Sequence, residues 1–320
     1  MRRTDYVVKR VLFAIATVFV AITINFFLFR VLPGDAVRNL ARVPQAGAGL
    51  RHSLEVQFGL DKPKWEQYLI YLRELAHGNL GVSFANQQPV WDNLREDLGN
   101  TIPMIALGTV VAIGVGIVTG VLSAWRRGTA LDKVSTNLAI AFYSFPTQWI
   151  ALVLVIYLAA WLPIHGRTDD FLFHPTAWQH AVDVLKHMAL PSLTVALTLY
   201  GEYTLIIRSA MLETLGEDYV LTARAKGLPQ RRIVMRHAFR NALLPTTTLI
   251  ALSLGYIVAG LILVEAVFSW PGIGLAVYQA VNERDYPMLQ GAFLVLTASV
   301  VFFNLLADLL YFRLDPRITE

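Results

Sequence analysis

The sequence predicts an all-α polytopic membrane protein. The expected architecture is one domain over residues 1–320, with six transmembrane helices and both termini in the cytoplasm. Three observations predict it. The first is composition: 55% of the residues are hydrophobic and only 16% are charged, where soluble domains carry about 25% charge. Mean hydropathy is +0.51. The second is pattern. Continuous apolar runs lie near 10–31, 100–124, 134–161, 188–209, 246–268 and 288–312. Each is long enough to cross a ~30 Å hydrocarbon core, which takes about 20 helical residues. Only helices and closed barrels satisfy every backbone polar group in lipid, and continuous rather than alternating runs read as helices.

The third observation is charge placement. Net charge is +4, but its distribution matters more than its size, because Lys and Arg in short loops mark the cytoplasmic side. With the N-terminus inside, the cytoplasmic pieces hold Arg126, Arg127 and Lys133, seven cations between Arg208 and Arg240, and Arg313 and Arg317. The opposite connection between the last two spans holds only Arg284, beside Glu283 and Asp285. Cysteine is absent, which removes disulfides, thiolate nucleophiles and Cys-based metal sites.

The elements follow in order. Arg2, Arg3, Lys9 and Arg10 precede an apolar run over 11–29 that is longer than a secretory h-region and lacks a small-residue cleavage site, so it reads as a retained first span. Pro33–Gly34–Asp35 ends it. The extracytoplasmic insertion 32–99 is too long for a bare loop. Residues 61–76 predict a helix in it, capped by Asp61, with Leu69, Leu72 and Leu75 near one face. A lid over the bundle and a docking platform for an external partner both fit that segment.

Span two opens with Pro103 in its first turn, where proline is tolerated. Gly116 and Gly120 form a small-xxx-small packing face. Span three contains Ser144–Phe145–Pro146; the proline frees a carbonyl and can kink the helix, and a kink there fits either a gate, with Phe145 and Pro146 as its candidates, or the packing of the bundle. Between spans three and four stand His165, His174, His180 and His187. Their spacings are irregular and none is an i, i+4 pair, so no metal site is predicted.

Glu202 in span four is a carboxylate at membrane depth, where such a group usually faces a bundle interior or a water-filled cavity. Glu265 lies near the outer end of span five and joins it as a pathway candidate. Trp270 suits an interface anchor. Asn304 and Asp308 predict hydrogen bonds between helices.

The cytoplasmic loop 210–245 is the one polar interruption between spans four and five. Glu217 or Asp218 places negative charge at a helix N-terminus. Ala223 and Ala225 expose little side chain, so another protein can approach. Gly227 stops the helix in a left-handed conformation and Pro229 prevents its continuation. A short helix with a fixed end fits a groove on another domain. Its rim of Arg224, Lys226, Arg231 and Arg232 suits acidic protein surfaces and anionic lipid headgroups alike.

Thr222–Ala223–Arg224–Ala225–Lys226–Gly227–Leu228, with Asn241–Ala242–Leu243–Leu244–Pro245, resembles the cytoplasmic "EAA" loop of ABC importer permeases in its dipeptide/oligopeptide form. Further matches run along nearly the whole chain. They include Leu32–Pro33–Gly34–Asp35, Phe58–Gly59–Leu60–Asp61, Leu190–Pro191–Ser192, Arg208–Ser209–Ala210–Met211–Leu212–Glu213 and the run from Val264 to Gly274. The general signature has Glu-Ala-Ala before its glycine where this chain has Leu221–Thr222–Ala223, so no glutamate contact is carried over.

The resemblance implies a type I importer permease fold in the inner (plasma) membrane. It implies a coupling helix over Glu217, Asp218, Tyr219, Thr222, Ala223, Arg224, Ala225, Lys226, Gly227 and Leu228, docked in a groove of an ATPase. It further implies a second homologous permease, two ATP-binding subunits or domains that hold ATP and Mg, an external binding protein, and no nucleic-acid partner. The chain itself is then a transport subunit with no cofactor and no catalytic residue. No Gly-Lys dipeptide, and so no Walker A motif, occurs in the sequence. A self-sufficient secondary transporter or channel for small solutes is the alternative; it predicts several buried charges and internal repeats. A membrane enzyme would need catalytic groups gathered at one depth, and the sequence offers none.

Overall fold

The computed structural model describes residues 3–30, 62–171, 173–243, 246, 247, 250, 253 and 261–314. The expected span over 246–268 falls largely outside them, as do Pro33–Gly34–Asp35, Phe58–Gly59–Leu60–Asp61 and Leu244–Pro245. The described elements are helices: α1 (Arg3–Arg30), α2 (Lys64–Ala76), α3 (Val90–Trp125), α4 (Ala130–Ser144), α5 (Thr147–Leu158), α6 (Ala177–Leu215), α7 (Asp218–Ala225), α8 (Ile262–Val267), α9 (Ile273–Glu283) and α10 (Tyr286–Leu314). A further helical stretch, Gln230–Arg232, leads into a π-helical segment, Ile233–Ala238. Among the described residues four helices are long and apolar enough to cross a membrane, or five if α4 and α5 make one bent span.

The chain forms two compact units, Met1–Thr101 with Pro271–Glu320, and Ile102–Trp270. In the first, α1 and α10 lie antiparallel. Arg10 pairs with Asp308 at 2.9 Å near one end, and Phe29 packs on Phe293 and Tyr286 near the other. Between them Asn25 donates to the Gln290 carbonyl at 2.8 Å. Asp308 thus has an ionic partner, whereas Asn304 is exposed.

The α2 helix presents to α1 a face the leucine spacing did not predict. Phe26 stacks edge-on to Tyr68, Tyr68 shares a 2.7 Å hydrogen bond with Thr23, and Gln67 is buried, while Leu69 is exposed. Aromatic rings with polar tips outcompete leucine here because they fill the contact and still pair their hydroxyls.

In the second unit α6, 39 residues long, is the spine. Residues 102–125 of α3 pack along it. A methyl group at Gly116 would meet Tyr203, and one at Gly120 would meet Ile207, so these glycines set a close helix approach. Three expectations change. Pro103 sits well inside α3 rather than in its first turn, because α3 begins at Val90. Trp270 is a core residue with Met104, Ile105, Met188 and Val195, not an interface anchor; its bulk is better spent on a packed apolar site than on a water boundary.

The single span expected over 134–161 is likewise two helices, α4 and α5, bent by 107°. Pro146 is the N-cap of α5, and the preceding Phe145 is extended at ψ 133°. A residue before proline is pushed out of the helical region, so the chain breaks rather than kinks. Neither helix alone spans the bilayer core, since 15 and 12 residues reach only about 22 and 18 Å.

Candidate functional site

The loop that follows α6 holds the candidate coupling residues. Gly216 ends α6 and Glu217 is the N-cap of α7, although no side-chain cap bond forms. Asp218 supplies negative charge in the first turn of α7. The C-terminal end is fixed by two backbone bonds: Leu228 N–H donates to the Ala223 carbonyl at 3.3 Å and Gly227 N–H to the Arg224 carbonyl at 2.9 Å. Gly227 stands at φ +73°. This is a Schellman end. Leu228 completes it by packing toward Val220, Ala223 and Ile233.

The structure separates the α7 residues into two faces. Val220 and Ala223 are buried against Ile233. Asp218, Tyr219, Leu221, Thr222, Arg224, Ala225 and Lys226 are exposed. One expectation is corrected and one is met. Ala223 is small to fit beneath its own helix, so it offers no surface to a partner. Gly227 has no atom within 4 Å of an added Cβ. Its glycine serves the left-handed backbone that the sequence called for.

Tyr219 ties α7 to the next segment. Its hydroxyl accepts from Asn241 Nδ2 at 2.7 Å and donates to the His237 carbonyl at 3.4 Å. His237 lies in the π-helical segment, a geometry rare in proteins and frequent at functional sites. The inner face of this segment, Val234 and Ala238, packs with Val121, Ile207 and Met211, so the loop rests on the ends of α3 and α6.

The sequence reading missed the buried ionic contact between Asp132 and Arg208. Asp132, the acid at the start of α4, is 4% exposed. Its Oδ1 accepts from Arg208 Nε at 2.7 Å, and Oδ2 accepts from Arg208 Nη2 at 3.1 Å and from Gly128 N–H at 2.9 Å. Thr136 also donates, at 3.3 Å. The signal lay in the loop 125–133, where Asp132 is the lone acid among Arg126, Arg127 and Lys133.

The side-chain bond from Arg208 and the Gly128 amide outweigh burial and hold the Asp132 carboxyl at about 2, below its ordinary 3.8. A depressed carboxyl stabilises the fold fully above pH ~4, and that contribution is lost as pH falls toward 2. Thermal unfolding in detergent should therefore show Asp132→Asn less stable than the parent at pH 5–7, with the gap closing by pH ~2.

The remaining candidates are scattered. Phe145 and Pro146 are exposed at the break between α4 and α5. Glu202 is half-buried on α6, and Glu265 is fully buried in α8. Among the described residues these four form no cluster with α7.

Residues 116–320 match the family described as "Binding-protein-dependent transport system inner membrane component", and residues 3–105 match the N-terminal part of such membrane components. The chain belongs to this family. It is thus a multi-pass inner-membrane transport component that depends on a binding protein, and not an enzyme. Among similar proteins, the dipeptide transport system permease protein DppB of Escherichia coli K12 is 36% identical over 334 aligned positions, covering 98% of both chains. The di/tripeptide transport system permease protein DppB of Pseudomonas aeruginosa is also 36% identical with the same coverage. The glutathione transport system permease protein GsiC of Escherichia coli O6:H1 is 32% identical over 317 positions, again over 98% of both. Loop 210–245 lies inside the matched region.

Proposed function

We propose that this chain forms half of the translocation pathway of an ATP-driven importer, taking up di- or oligopeptides that an external binding protein delivers. The observation that carries the reading is α7: a short helix with a fixed C-terminal end, an apolar side buried on its own chain and a polar side left largely exposed. Such a helix transmits force without unwinding. The names of the relatives, dipeptide, di/tripeptide and glutathione permeases, support peptides as cargo.

In this reading the chain crosses six times with both termini cytoplasmic and α7 docks in a groove of an ATPase. Glu217, Asp218, Tyr219, Thr222, Arg224, Ala225 and Lys226 meet that groove, while Ala223, Gly227 and Leu228 hold the helix in shape. ATP and Mg are bound by two separate ATPase subunits or domains, and a second homologous permease completes the pathway. Phe145, Pro146, Glu202 and Glu265 are its candidate gate and lining. A secondary transporter is disfavoured because it needs no such helix and no second chain.

The test is reconstitution in liposomes with the second permease, ATPases and binding protein. Uptake of a labelled dipeptide should require ATP and every chain. Uptake driven by an ion gradient without the ATPases, or ATP-driven uptake of a metal chelate with no peptide uptake, would overturn the reading in its mechanism or in its cargo respectively.

A further inference from the structure

Two contacts between α4 and α6 lie in one antiparallel register. Asp132 meets Arg208 through both carboxylate oxygens. Seven residues on along α4 and seven back along α6, Gly201 is pressed against the Ala139 carbonyl and the backbone and Cβ of Tyr143. Phe142 and Tyr200 pack edge to face beside it, ring centres 6.1 Å apart. One contact is ionic and sits at the end of α6 nearest α7. The other is steric and spans Ala139 to Tyr143, the last turn and a half of α4 before it ends at Ser144.

A helix held at two points, about 10 Å apart along its axis, cannot slide or rotate on its neighbour without breaking one of them. The break at Phe145–Pro146 lies just beyond the second point. By contrast, α7 follows the first point after about two more turns of α6 and Gly216.

We infer that Asp132 and Arg208 are a positioning pair that makes α4 travel with α6, so that displacement of α7 reaches the α4–α5 break as a rigid motion. The inference rests on the reading of α7 as the site where force enters. The bidentate guanidinium–carboxylate geometry suits this role, because a planar fork fixes direction as well as distance. The donors from Gly128 and Thr136 complete the carboxylate, so it has no competing use.

The experiment uses the full reconstituted complex and reads solute imported per ATP hydrolysed. The chain contains no cysteine, so Asp132→Cys with Arg208→Cys, in cysteine-free partners, places the only two thiols at the pair. Unlinked, this variant should lower the import-to-ATP ratio by about tenfold, within the usual range of coupling between sites. A short bis-methanethiosulfonate linker joining the two thiols should restore at least about half of the parental ratio, because it replaces the ion pair with a covalent tie.

A parental ratio in the unlinked variant, or a linked variant that stays uncoupled, overturns the inference. Should the double variant not assemble, Asp132→Asn keeps the shape of the site. A fall in its ratio at constant ATPase activity supports the positioning role, and an unchanged ratio ends it. The parental complex is measured first, so a failure to import peptide at all condemns the functional reading, not the pair.

Discussion

Gly201→Ala is expected to destabilise the chain by about 2 kcal/mol or more, at the upper part of the range for overpacking. A Cβ at this position overlaps the Ala139 carbonyl oxygen and the Tyr143 amide. Backbone atoms have no alternative rotamer, so α4 must lift from α6, and the Asp132–Arg208 tie seven residues away is strained with it. Thermal unfolding of the purified chain in detergent reads the loss. Gly114→Ala in α3 is the matched control, since nothing lies within 4 Å of its added Cβ. Alanine there should be neutral or stabilise by about 0.5–1 kcal/mol through helix propensity alone. Equal melting temperatures for Gly201→Ala and the parent would mean that the α4–α6 contact is looser than the structure shows.

Ala225→Trp is expected to abolish transport without harming the chain. Ala225 lies on the exposed face of α7, so the indole enlarges only the surface meant for the ATPase. Membrane insertion and melting temperature should match the parent, while solute uptake by the reconstituted complex falls at least about tenfold, equivalent to about 1.4 kcal/mol of lost docking. Ala223→Trp makes the internal contrast. That side chain is 6% exposed between Val220 and Ile233. The same substitution two residues away should therefore lower stability first, by overpacking. Normal uptake by Ala225→Trp would exclude a docked α7.

The two alanines show how far a linear motif can be read. Their sequence context marked a short helix with a glycine stop, and the structure has that helix ending at that glycine. It did not mark which alanine faces inward. On an eight-residue helix with few apolar side chains the periodic signal is weak, and the inner face is chosen by Ile233 and Leu228, which arrive from the following segment. Trp270 teaches the same lesson: beside Pro271 at the end of an apolar run it suited a membrane boundary, yet Met104, Met188 and Val195, all distant in sequence, enclose it.

What the sequence alone determined were the properties that accumulate locally. Low charge and long apolar runs required helices in lipid, the φ > 0 turn at position 227 called for glycine, and the ordered short motifs placed the chain in a family of membrane transport components. What only the tertiary structure decided were the pairings between distant residues. Asp132 with Arg208, Gly201 with Ala139, Tyr219 with Asn241, and the inward turn of Ala223 each depend on where one helix lies against another. No local propensity encodes that placement, because helix packing depends on the summed shape and charge of two surfaces that meet only after the chain has folded.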